Sequence, residues 1–243
     1  MRRYVAIICI VISTVLWIQC QTDVAVGISN HPYIDYLRLD TTLDASIDFL
    51  MVFPENFNED DAYPVLIAFP PGDQDKEEVD FSLEKYWIKS SIQRNWIVVS
   101  PIAPVDLNFY SGAEILIPEL MNWIAGQINV EGGKFHLAGL SAGGISAFKI
   151  AVENPQRCHS ITVLPGYAIE DDYDRLNVLA GIPVSMFVGS NDIETIAPME
   201  VTRDRLLELE NTVLYQVIPD DGHVIQSLTS ESLFDILDGY RTP

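Results

Sequence analysis

The chain has 243 residues, with 14 Lys and Arg against 35 Asp and Glu, a formal net charge of −21. Hydrophobic residues make up 48% of it and aromatics 10%, enough apolar surface to offset chain entropy, which excludes global disorder. Phosphate binding rests on clustered Lys and Arg, so this balance excludes nucleic acid as a partner.

In chain order, Arg2 and Arg3 precede a predominantly apolar run from Tyr4 to Ile18, and no acid occurs before Asp23. That run is short for a bilayer crossing, and its basic start is the pattern of a secretory signal over residues 1–20, ahead of one domain over 21–243. Three outcomes stay open. Ile18 and Cys20 fit the −3 and −1 positions of ordinary cleavage, Cys20 fits a lipidated lipoprotein terminus, and the segment fits an uncleaved anchor. A secreted or periplasmic protein is expected, tied to a membrane only if Cys20 is lipidated. Cleavage after Cys20 leaves 12 basic against 35 acidic residues, a charge of −23. It also leaves Cys158 alone, so no intramolecular disulfide is expected, and Cys158 reads as a buried structural thiol. No Cys/His spacing suggests a metal site.

From about residue 40 the sequence alternates strand and helix patterns. Strands are expected at Ala45 to Phe53, Pro64 to Phe69, Trp96 to Ser100, Lys134 to Gly139, Ser160 to Leu164, Val184 to Val188 and Val213 to Ile218. Most are continuous apolar runs bounded by Gly or Pro, suited to strands buried on both faces of a parallel sheet. Helices are expected at Phe81 to Arg94, Ala113 to Val130, Ile145 to Glu153, Tyr173 to Leu179, Met199 to Glu210 and Ser232 to Tyr240. Trp87 and Trp123 fit the core faces of two of them. The alternation indicates an α/β fold, a mostly parallel central sheet flanked by helices, with no insertion long enough for a large lid.

Gly139-Leu140-Ser141-Ala142-Gly143 lies directly after one strand pattern and before a helix pattern, the context a G-x-S-x-G nucleophile elbow requires. A tight turn there lifts Ser141 above the sheet edge, and the helix amino terminus favours an anion beside it. A serine hydroxyl needs a base to take its proton. His31, His136 and His159 read as structural or merely exposed, whereas His223 follows the last strand in Asp220-Asp221-Gly222-His223. The imidazole in turn needs an acid. Asp192 lies one loop beyond Val188, between Ser141 and His223 in chain order. Glu194 is the second choice, and Asp220 and Asp221 read as turn formers.

With these residues in order, the chain resembles the α/β-hydrolase superfamily, and within it the small lidless serine esterases and predicted peptidases akin to feruloyl esterases and polyhydroxybutyrate depolymerases. The resemblance spans roughly residues 45–240. It rests on Phe53-Pro54-Glu55-Asn56-Phe57, Tyr63 to Ile67, Ser100 to Pro104, the elbow, Gly189 with Asp192, and Gly222-His223. It implies hydrolysis of small-molecule carboxylic esters through an acyl-enzyme, without a cofactor.

One segment departs from the family pattern. Where the family carries His-Gly and then an oxyanion donor, this chain reads Pro71-Gly72-Asp73. The resemblance puts the N–H groups of Asp73 and Ala142 at the oxyanion. Asp73 is expected to turn its carboxylate outward, or Gln74 to contribute. Phe109 and Tyr110 are candidate walls of a substrate pocket. Two other readings stay open: a serine peptidase of the same fold, and a catalytically weak body that serves as a binding protein.

Overall fold

A computed structural model describes residues 33–241. The expected signal with Cys9 and Cys20, and His31, lie outside the described residues. Eight strands form the main sheet: β1 (Ile34–Asp40), β2 (Ser46–Val52), β3 (Val65–Phe69), β4 (Ile97–Ile102), β5 (Phe135–Gly139), β6 (Cys158–Val163), β7 (Val184–Gly189) and β8 (Val213–Ile218). Their order is β1-β2-β4-β3-β5-β6-β7-β8. Only β2 runs antiparallel to its neighbours; from β4 to β8 every pairing is parallel.

The helices are α1 (Lys76–Ser82), α2 (Ile88–Gln93), α3 (Ile117–Gln127), α4 (Ala142–Glu153), α5 (Ile193–Glu208) and α6 (Ser230–Gly239). Alternation along the strands sorts the core into two layers. Leu66, Ala68 and Val98 face Val79, Leu83, Trp87, Phe234 and Leu237 of the α1, α2 and α6 side. Val65, Ile67, Phe69 and Val99 face Leu120, Ile124, Phe148, Met199 and Leu206 of the α3, α4 and α5 side. Because both faces are covered, all five residues of β3 and all five of β5 are buried, which explains the unbroken apolar run of β3 and that of β5, interrupted only by His136.

The seven expected strands are present, and β1 is an addition. It pairs only with β2, at the sheet's edge, and carries exposed Asp35, Arg38 and Asp40 between its apolar residues, so part of it faces water. Two helices begin earlier than apolar spacing indicates. The first turn of α1 is charged, Lys76-Glu77-Glu78, and is held by Asp75, whose carboxylate accepts from the Glu78 N–H; such a cap contributes about 1 kcal/mol. Helix α5 carries Pro198 in its interior, which hides its first turn from a sequence reading. Residues 83–87 are a π-helical turn, Leu83–Trp87, joining α1 to α2. The expected helix at Tyr173 to Leu179 is a 3-10 segment, Glu170–Leu179, whose Leu176 and Leu179 pack into the core. Cys158 opens β6, where burial pushes its thiol pKa up to about 12 and makes it a poor nucleophile.

Connections leave β3 toward β4 and leave β5 toward β6 in opposite directions along the sheet. The crevice between β3 and β5 is therefore the switch point at which open α/β sheets bind ligands, at the carboxyl ends of the strands. Among the described residues, no helix is long and apolar enough to cross a membrane, and no cluster of three or more His, Cys, Asp or Glu is arranged to hold a metal.

Candidate active site

Strand β5 ends at Gly139 and α4 begins at Ala142, so the chain must reverse within the two intervening residues, Leu140 and Ser141. Ser141 takes φ 57° and ψ −117°, a conformation that costs an L-residue on the order of 1–3 kcal/mol. Close packing sustains it. A Cβ on Gly139 would stand 2.0 Å from the Gly143 carbonyl oxygen, and one on Gly143 would stand 2.0 Å from that of Phe69. The Ser141 N–H donates to Pro165 O at 2.9 Å. In the first turn of α4 the Gly143 N–H goes to Leu140 O, and those of Gly144 and Ile145 go to Ser141 O. The Ala142 N–H is the one these turns leave over, next to the Ser141 hydroxyl.

Past β7, the loop Ser190–Asn191 is tied to the loop that follows β8. Asn191 donates through its N–H to Asp221 O at 2.9 Å and through Nδ2 to Asp220 O at 3.0 Å, while the Asp220 N–H donates to Ser190 Oγ at 2.9 Å. Gly189 allows the crossing, since a Cβ there would meet the carbonyl oxygens of Asp221 and Gly222 at 2.3 Å. These ties bring Asp192 and His223 together. His223 Nδ1 and Asp192 Oδ2 are 2.7 Å apart, and His223 Nε2 and Ser141 Oγ are also 2.7 Å apart. The Asp192 side chain is 8% exposed and its other oxygen accepts from Thr195 Oγ1 at 3.0 Å. Because a carboxylate only accepts, Nδ1 must carry the ring proton, and the Nε2 lone pair then faces the Ser141 hydroxyl.

The histidine loop has its own supports. Asp221, expected as a turn former, accepts from the N–H groups of Gln226 and Ser227 at 3.1 Å each and from the Ser227 hydroxyl. These bonds, the hydroxyl first, hold its carboxyl below the usual range. Asp220 occupies a turn position with φ 64°. From the π-helical turn, the Tyr86 hydroxyl donates to Ile225 O at 3.1 Å, and Lys85 Nζ donates to Gln226 Oε1 at 2.7 Å. Burial pushes the Tyr86 pKa up to about 12, so it remains a donor. Glu194 is exposed and stays outside this constellation. His136 lies buried in β5 with Nδ1 2.7 Å from Ser160 Oγ, and His159 Nε2 sits against Tyr240 O.

After β3, Pro71 to Gln74 make a turn closed by the Gln74 N–H on Pro71 O at 2.9 Å. The Gln74 amide is therefore spent. Asp73 is exposed in this turn and borders a cavity of about 460 Å³, also lined by Gly72, Ala103, Leu107, Asn108 and Tyr110. Tyr110 lines this cavity and Phe109 does not. Phe109 is fully buried, its ring 5.6 Å from that of Phe69, because a neighbouring core ring offers it more apolar contact than the cavity does.

The family described as "Putative esterase" matches residues 41–170, more than half of the sequence. The chain belongs to this esterase family. The match takes in the elbow but ends before Asp192 and His223. The fold is similar to that of a thermostable esterase, with TM-score 0.70 and 14% identity over 84% of this chain and 62% of that one, less than two thirds of its length. It is similar to a ferulic acid esterase, TM-score 0.67 and 16% identity over 86% and 97% of the two chains. It is also similar to an S-formylglutathione hydrolase from Agrobacterium tumefaciens, TM-score 0.65 and 15% identity over 85% and 94%. At such identities the likeness is one of fold. A search of curated proteins finds no match.

Proposed function

We propose that this esterase is a serine carboxylic-ester hydrolase that works through an acyl-enzyme, with Ser141 as nucleophile, His223 as base and Asp192 as its orienting acid. The supporting observation is the unbroken line Ser141 Oγ, His223 Nε2, His223 Nδ1, Asp192 Oδ2, with 2.7 Å at each of its two junctions. Ser141 Oγ attacks the ester carbonyl carbon as its proton passes to His223 Nε2. The carbonyl π electrons move onto oxygen, where the Ala142 and Asp73 N–H groups hold the oxyanion. Collapse expels the alcohol, which takes the proton from His223. Water then attacks the acyl-enzyme, giving one proton to His223, and collapse returns that proton to Ser141 with release of the carboxylic acid. One oxyanion donor is worth about 3 kcal/mol in the transition state, so the Pro71-Gly72-Asp73 turn bears directly on rate.

The test is hydrolysis of p-nitrophenyl acetate by purified protein and by Ser141→Ala. The reading requires the variant to lose activity by on the order of 10³-fold or more. Equal rates would overturn it. Export of the protein is a separate part of the proposal, supported by Arg2, Arg3 and the apolar run to Ile18. Intact mass of protein recovered outside the cytoplasm should correspond to a chain beginning at Gln21, or at a lipid-modified Cys20, and the full-length mass would contradict cleavage.

A further inference from the structure

Gln74 sits immediately after the proposed donor Asp73, is fully buried, and takes φ 58° without being glycine. Its polar groups are all committed. The backbone N–H donates to Pro71 O, and the backbone oxygen accepts from the Ala103 N–H at 2.9 Å. The side-chain Nε2 donates to Pro70 O at 3.0 Å and to Ser146 Oγ at 2.9 Å, while Oε1 accepts from the Phe109 N–H at 2.7 Å. The carboxamide orientation is forced, because Pro70 O can only accept and the Phe109 N–H can only donate. Ser146 passes the connection on, donating to Ala142 O at 2.9 Å. One side chain thus joins three segments: the turn carrying Asp73, the helix turn carrying Ala142, and the loop that walls the cavity with Tyr110.

We propose that Gln74 is the positioning residue of the oxyanion site, fixing the separation of the Asp73 and Ala142 N–H donors. This rests on the proposed role of those two amides. The two donors belong to segments that approach each other over the ends of β3 and β5, and no covalent continuity sets their spacing. A buried carboxamide with both N–H bonds used and its oxygen used has one low-energy placement, since any shift leaves a buried polar group unpaired. The left-handed backbone at Gln74 points the side chain inward and leaves Asp73 at the exposed corner of the turn. Donors aimed in advance at the developing charge stabilise the transition state more than the ground state.

The test compares an ester with its thionoester counterpart, whose developing charge rests on sulfur, a weak acceptor that gains little from N–H donors. For Gln74→Leu, kcat on the ester should fall about a hundredfold with KM within about twofold, and the ester-to-thionoester rate ratio should collapse. Ser146→Ala, which breaks only the bridge to Ala142, should lower the same ratio about tenfold, and it carries the test if Gln74→Leu does not fold. Equal losses on both substrates, or a loss confined to KM, would overturn the proposal. Ester hydrolysis that survives Ser141→Ala would instead overturn the proposed function, whatever the Gln74 variants do.

Discussion

Two histidines, one in the loop after β8 and one inside the sheet, show how placement decides chemistry. His223, at the carboxyl edge, is about half exposed and has its Nδ1 on the Asp192 carboxylate. His136, in β5, is 3% exposed and stacked edge-on to Trp96 at 4.7 Å and beside His159 at 4.7 Å. Burial first, then the charges of His159 and Arg241, push its pKa down to about 3. Its nearest hydrogen-bond partner is the Ser160 hydroxyl, which brings no charge to stabilise an imidazolium. In the proposed mechanism one ring takes up a proton in passing, and the other is kept from doing so. A carboxylate partner and access to solvent make the difference.

The comparison can be broken from the upper side. Asp192→Asn removes the charge while keeping the shape, so His223 should lose its tautomer control, and kcat should fall on the order of 10³- to 10⁴-fold with little change in KM. A fall of only a few-fold would mean that Asp192 does not orient His223. A milder break is Asp221→Ala, which releases the Gln226 and Ser227 contacts and loosens the loop that carries His223. About a tenfold loss in kcat is expected, with circular dichroism unchanged. Unaltered kcat would detach loop order from catalysis.

The lower histidine is tested through stability. Its folded pKa lies below its unfolded value of about 6.5, so between about pH 6.5 and pH 3 the unfolded chain binds more protons. Stability should fall as pH drops through that window, by up to about 1.4 kcal/mol per unit from this residue. Urea midpoints of His136→Gln should follow a shallower acid limb than those of the parent. Parallel limbs would show that His136 is not held neutral. The smallest effect concerns the cavity rim, where Asp73, Asp75 and Asp106 are exposed. Anionic esters should react a few-fold more slowly than neutral ones at low salt, and the gap should close near 1 M salt. A gap that ignores salt would remove the rim charges from substrate choice.

The parts legible in the sequence are those in which local pattern and burial coincide. Strands β3 and β5 are buried on both faces and announce themselves as apolar runs, broken in β5 only by His136. The elbow glycines are required by contacts at 2.0 Å, and Ser141, Asp192 and His223 each follow a strand end. Strand β1 was hidden because its water-facing residues are polar, and the first turn of α5 because Pro198 argues against a helix. Phe109 cannot be told from Tyr110 by sequence, since its fate depends on Phe69, forty residues earlier in a different element. The Gln74 network is illegible for the same reason. Its partners Phe109 and Ser146 lie 35 and 72 residues away, and no periodicity records a left-handed glutamine.

The most direct measurement of the central claim is covalent labelling with a fluorophosphonate, followed by peptide mass mapping. The account predicts one phosphonyl group on Ser141, complete loss of esterase activity in step with labelling, and slower labelling in Asp192→Asn. Esterase activity that persists in fully labelled protein, or labelling that persists at another residue of an active Ser141→Ala variant, would contradict it.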